Sequence, residues 1–120
     1  MSLEAVFYTS AAGAEPVLDL LETWRFDDPR GHAKVVLTLD RLAATENGVL
    51  PFPFTGHVRD GLRELRVRFS ARNYRLLYFV ARNQIVIVHG LLKKADQLPG
   101  RDVRLSASRM AEWKARTENP

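Results

Sequence analysis

Three neighbouring runs decide the fold: Gly61-Leu62-Arg63-Glu64-Leu65-Arg66-Val67-Arg68-Phe69, Tyr74-Arg75-Leu76-Leu77-Tyr78-Phe79-Val80 and Gln84-Ile85-Val86-Ile87-Val88-His89-Gly90-Leu91-Leu92. In the first run Leu65, Val67 and Phe69 alternate with Glu64, Arg66 and Arg68. That period of two marks a half-buried strand with arginines on its open face. The segments between the runs, Ser70-Ala71-Arg72-Asn73 and Ala81-Arg82-Asn83, are short and turn-like, so the runs form an antiparallel meander. The third run is apolar on both faces, as expected of a central strand.

Upstream, Leu3 to Tyr8 alternates weakly and reads as a first strand. Pro16 opens a helix in which Val17, Leu20, Leu21 and Trp24 recur at the spacing of one buried stripe. Asp27-Asp28-Pro29 supplies a cap and a first-turn proline for a second helix over about Arg30–Ala44, with Val35, Leu39, Leu42 and Ala43 on one face. Asn47-Gly48 ends it. Val49 to Thr55 holds Pro51 and Pro53 among Leu50, Phe52 and Phe54, and reads as an ordered apolar loop because proline cannot donate to a ladder. Downstream, Lys93 to Arg101 is a polar loop. Asp102 then caps a last helix with Val103, Ala107 and Met110 at helical spacing. The order is β-α-α-β-β-β-α, an α+β domain with helices on one face of a small, mostly antiparallel sheet.

The composition narrows the chemistry. A chain of 120 residues with no cysteine has no disulfide, no thiolate metal site and no cysteine nucleophile. Its apolar runs are too short to cross a bilayer, and Met1-Ser2-Leu3-Glu4 lacks the basic start of a signal peptide, so a cytoplasmic, membrane-free protein is expected. His32, His57 and His89 are far apart and carry no metal-ligand spacing, so no metal or cofactor is expected. Phosphate-binding glycine loops and nucleophile elbows are absent from the sequence.

Charge is unevenly distributed. Nine basic residues between Arg59 and Lys94 face only Asp60 and Glu64, giving this stretch +7 and the remainder −3 of a total of +4. An anionic partner such as a nucleic acid backbone suits that half, and a solvated basic sheet face is the plain alternative. Arginine presents a planar fork of donors that matches phosphate, and histidine most readily exchanges a proton near neutrality.

Gly61-Leu62-Arg63-Glu64-Leu65-Arg66, Tyr74-Arg75-Leu76-Leu77-Tyr78-Phe79 and His89-Gly90-Leu91-Leu92-Lys93-Lys94, followed by Pro99, Asp102 and Ala107, resemble the phage-derived, HigB-like branch of the RelE/ParE toxin superfamily. The likeness is strongest from Gly61 to Met110 and implies a single RelE-like domain over residues 1–120. It also implies a ribosome-dependent endoribonuclease that needs no metal or cofactor. There the RNA 2′-hydroxyl attacks the adjacent phosphate while protein groups move protons and stabilise charge. The implied partners are messenger RNA, the ribosome and a cognate helix-turn-helix antitoxin. A dimer and a toxin–antitoxin hetero-oligomer both remain open.

By matched position the resemblance makes Arg66 and Arg68 RNA-binding residues and Arg75 with Lys93 or Lys94 catalytic candidates. His89 is the nearest candidate for the histidine that HigB-type toxins lean on, and Arg72 of the same basic stretch is taken as a further RNA-binding residue. The chain departs from RelE-type toxins in having no tyrosine after Tyr78, so the general base is left open. Each residue also has a structural reading. Arg66 can pair with Glu64, Arg75 can bond loop carbonyls, and His89 can be a bonded core histidine. Lys93 and Lys94 can be solvated loop charges. Tyr78, Trp24 and Trp113 read as packing, with base stacking the other role for Trp113. Two further functions fit the same fold: gyrase poisoning, as in ParE-like relatives, and a non-catalytic binding module.

Overall fold

The computed structural model describes residues 2–118. Its elements run β1 (Glu4–Phe7), α1 (Pro16–Asp27), α2 (Pro29–Ala43), β2 (Thr55–Arg59), β3 (Leu62–Phe69), β4 (Arg72–Ala81), β5 (Gln84–Leu92) and α3 (Gly100–Glu118). The α+β class and the mostly antiparallel sheet follow the expectation. The five strands lie in the order β1-β5-β4-β3-β2, with only the β1–β5 pair parallel. No helix among the described residues is long and apolar enough to cross a membrane.

Two features correct the sequence reading. The first is the additional strand β2, which pairs with β3 across the two-residue turn Asp60-Gly61. Both turn residues have positive φ, 47° and 88°, the backbone that Asp-Gly favours in a tight hairpin. The second is that the helices occupy both faces of the sheet. Helices α1 and α2 bury Val17, Leu21, Trp24, Val35, Leu39 and Leu42 against Leu65, Val67, Tyr74, Leu76, Tyr78, Ile85 and Ile87. Helix α3 lays Met110, Val103 and Trp113 on the other face, against Leu62, Leu77, Phe79, Val86 and Val88. A central strand apolar on both faces is covered on both, which is why β5 carries an unbroken apolar run.

The α1–α2 corner is tied by one residue. Asp28 caps α2 by accepting from Gly31 N and also accepts the Tyr74 hydroxyl proton at 2.5 Å. That bond holds the Asp28 carboxyl below its ordinary range, and burial raises the Tyr74 phenol above its own. Tyr74 in turn meets Trp24 edge-on at 4.8 Å. Asp102, by contrast, does not cap α3. The helix begins at Gly100, and the Asp102 carboxylate reaches the sheet instead.

Candidate functional site

The basic residues gather where strand register stacks them. Arg66 of β3 stands opposite Arg75 of β4, which stands opposite Leu91 of β5. The row before it is Glu64, Leu77 and His89, and the row after it starts with Arg68 and Asn73. Lys93 extends this last row, because its backbone N–H donates to the Asn73 carbonyl at 2.8 Å just past the end of β5. Leu77 belongs to the cluster under α3, so period-two alternation puts Glu64, Arg66, Arg68 and Arg75 on the α3 side of the sheet.

Like charges opposite one another in a sheet repel, and Glu64 offsets that repulsion here. Its Oε1 accepts from Arg66 Nε at 2.6 Å, and its Oε2 lies 3.9 Å from Arg75 Nε. Glu64 is 5% exposed and Arg75 8%. Burial lowers the Arg75 guanidinium below its usual range, and Glu64 opposes that shift. Arg75 also donates to the Tyr74 carbonyl at 3.1 Å, while Arg66 reaches the Pro53 carbonyl at 3.3 Å. The Arg66 guanidinium lies close to Gly56, where any Cβ would collide with it. Arg68 is exposed and Lys93 half-buried. Arg66 and Arg75 beside the Glu64 carboxylate, with Arg68 and Lys93 in the adjoining row, make a cationic platform whose outer donors suit phosphate.

His89 reaches the α3 side through a bulge. Leu77 pairs with His89 but Tyr78 pairs with Ile87, so Val88 is an extra residue in β5. The insertion re-aims His89 away from the α1–α2 core. Its Nε2 lies 2.6 Å from Asp102 Oδ1, and its Nδ1 lies 3.4 Å from the Arg109 guanidinium, which also donates to the Val88 carbonyl at 2.8 Å. Arginine only donates, so Nδ1 faces it as acceptor and Nε2 carries the proton toward Asp102. Both ring nitrogens are engaged, and the trio fastens the first half of α3 to β5.

The remaining sequence candidates separate from this platform. Arg72 lies on the opposite face, 3.5 Å from Asp28 Oδ2, and Lys94 is exposed in the loop beyond β5. Tyr78 is fully buried, its hydroxyl donating to the Gly48 carbonyl at 2.7 Å. Trp24 is core, and Trp113 packs 6.2 Å from Tyr8. The sequence reading missed Asp102 and Arg109 as partners of His89, because only the fold brings them together. Gly56 was also missed, although a glycine in an edge strand is itself a signal of close approach. Among the described residues no group of three or more His, Asp or Glu side chains is placed to hold a metal ion.

A family model for phage-derived Gp49-like proteins (DUF891) matches residues 25–111, a span that runs from the end of α1 through the platform to Met110 and beyond it in α3. The chain belongs to the Gp49-like family. That family is broadly associated with toxin–antitoxin modules. No curated protein matches the sequence. In this Gp49-like chain the matched span holds the whole platform and the His89–Asp102–Arg109 trio, while β1 and most of α1 lie outside it.

Proposed function

We propose that this Gp49-like chain is the toxin of a type II toxin–antitoxin pair, a RelE- and HigB-like endoribonuclease that cuts messenger RNA in the ribosome without a metal and is neutralised by a cognate helix-turn-helix antitoxin in the cytoplasm. The observation that carries the reading is the platform of Arg66, Arg68, Arg75 and Lys93 on one sheet face, inside a family associated with toxin–antitoxin modules. In the reaction the 2′-oxygen forms a bond to the neighbouring phosphorus and the bond to the 5′-oxygen breaks. The 2′-hydroxyl proton leaves to a base, and the departing 5′-oxygen takes up another proton.

Arg66, Arg68 and Lys93 contact the RNA phosphates in this reading, and their charge stabilises the extra negative charge at phosphorus. Arg75 is too buried to lead in contact and works from beneath, holding Glu64 and through it the Arg66 fork. His89 already spends both nitrogens on α3, so Lys93, with no side-chain hydrogen bond among the described residues, is the better-placed proton carrier.

The test is induced expression of wild type and Arg68→Ala with transcriptome-wide mapping of RNA ends. Growth arrest with new ends inside translated messages, both suppressed by the substitution, supports the reading. Arrest without new RNA ends overturns it, and DNA breaks in that case identify a gyrase poison of the ParE kind.

A further inference from the structure

Two aromatic side chains stand almost fully in solvent, Phe26 at 88% and Phe52 at 87% exposure. Their surroundings are opposite in sign. Phe26 borders a hollow on α1 lined by Asp19, Glu22, Thr23 and Asp27, a setting that repels a polyanion. Phe52 sits at the tip of the loop between α2 and β2, where positions 49 to 59 contain no acidic residue and the next carbonyl, that of Pro53, accepts from Arg66.

The loop holds this ring out on a fixed frame. Phe54 N donates to the Pro51 carbonyl at 2.9 Å, and Arg66 N donates to the Phe54 carbonyl at 2.8 Å. Thr55 Oγ1 accepts from Leu50 N and donates to the Leu50 carbonyl, both bonds buried. Leu50 is itself buried, and Phe54 packs on the α1–α2 core beneath the Arg41 guanidinium. Residues on both sides of Phe52 are therefore anchored while its own side chain makes no use of the core. An aromatic presented in this way, one residue from a carbonyl bonded to a phosphate-binding arginine, has the composition of a single-strand binding surface, where cations track the backbone and a flat ring takes a base.

We propose that Phe52 is a base-stacking platform for single-stranded RNA at the edge of the arginine face, setting where the strand lies relative to Arg66. The inference rests on the RNA reading of that face. It adds a contact outside the charged platform, on a loop whose function is otherwise unassigned.

The test measures binding of a fluorescein-labelled 2′-O-methyl oligoadenylate, which lacks the attacking hydroxyl, by fluorescence anisotropy at fixed salt. Wild type is compared with Phe52→Ala, Phe52→Leu, Phe52→Trp and Arg68→Ala. Loss of one base stack weakens binding roughly 5- to 150-fold, so Phe52→Ala and Phe52→Leu should fall by that factor while Phe52→Trp keeps wild-type affinity. Circular dichroism should be unchanged for every Phe52 variant, since the ring supports no packing. Wild-type affinity in Phe52→Ala, with Arg68→Ala weakened, overturns the inference and leaves the RNA reading standing. Affinity restored by Phe52→Leu shows an apolar contact without stacking and also overturns it. Failure of the wild type to bind, or indifference to Arg68→Ala, overturns the RNA reading and the inference together.

Discussion

Glu64→Gln tests whether one carboxylate organises the arginine face. Glu64 is 5% exposed, hydrogen-bonded to Arg66 at 2.6 Å and 3.9 Å from Arg75, and its Oε2 has no hydrogen bond of its own. Unit charges about 4 Å apart attract by about 4 kcal/mol at an effective dielectric of 20. Desolvation cancels much of that attraction, but removing one member of a buried pair still costs about 3–5 kcal/mol because the partner stays behind uncompensated.

Two features discount that cost here. The Arg66 side chain is 30% exposed, and glutamine keeps one acceptor oxygen for it. A loss of about 2–3 kcal/mol remains, mostly the cost of leaving Arg75 buried without its counter-charge. In a domain of this size 1 kcal/mol moves the midpoint by about 4 °C, so Tm should fall by about 8–12 °C. Calorimetry and urea denaturation of Glu64→Gln, Arg75→Leu and the double variant give the check. The double variant should lose less than the two singles combined, by about 1 kcal/mol or more. A Glu64→Gln midpoint within about 0.5 kcal/mol of wild type, or strictly additive singles, would refute the argument.

Three further outcomes are expected. Gly90→Ala should destabilise the fold by about 1–3 kcal/mol in urea, because its Cβ would come within 2.8 Å of Leu20, 3.0 Å of Leu76 and 3.3 Å of Trp24. Gly56→Ala should leave stability within about 1 kcal/mol, since the atom displaced is the far end of a flexible side chain, yet weaken oligonucleotide binding by moving the Arg66 fork; unchanged binding would count against Arg66 as a contact. Asp28→Asn should show a pH-dependent gap from wild type. The Asp28 carboxyl is held low, chiefly by the Tyr74 hydroxyl, so its contribution is full above its unfolded value of about 4 and is lost as pH falls through the lower folded value. The difference in urea midpoint should be constant above about pH 5 and shrink in acid, and a gap that widened on acidification would contradict the assignment.

Much of the sheet was legible because period-two alternation is a local signal. Leu65, Val67 and Phe69 against Glu64, Arg66 and Arg68 is read from nine residues, and Pro16, Asp28 and Pro29 announce their helices within one turn. Strand β2 went unread although Asp60-Gly61 is a strong hairpin signal, because the proline-containing loop was read as ending at Thr55 and the five residues before Gly61 were assigned to no element. The second helical face was signalled only indirectly. β5 is apolar on both faces, which calls for cover on both, but nothing in the sequence of α3 says that this helix supplies the second cover. The site divides the same way. That Arg66 and Arg68 share a face follows from spacing, but the face of His89 does not. Counting by twos from Ile85 assigns it to the α1–α2 core, and the extra residue Val88 reverses that assignment. Arg72 failed to join the platform by the same arithmetic, one residue out of step with Asn73 and Arg75.

The parallel pairing of β1 with β5 bears on the order of events during synthesis. Strands β2 to β5 are joined by two-residue turns and can zip as they leave the ribosome, since each finds its partner within a few residues of chain. The partner of Glu4 is Gln84, so β1 is made before the other four strands and is seated only after the residues through β5 have followed it. Until it arrives, β5 presents an open edge of unpaired N–H and C=O groups, and the loop to be closed makes that step the slowest of the sheet. The nascent chain thus carries its most adhesive surface at the moment when the arginine face, formed by β3 and β4, is already complete.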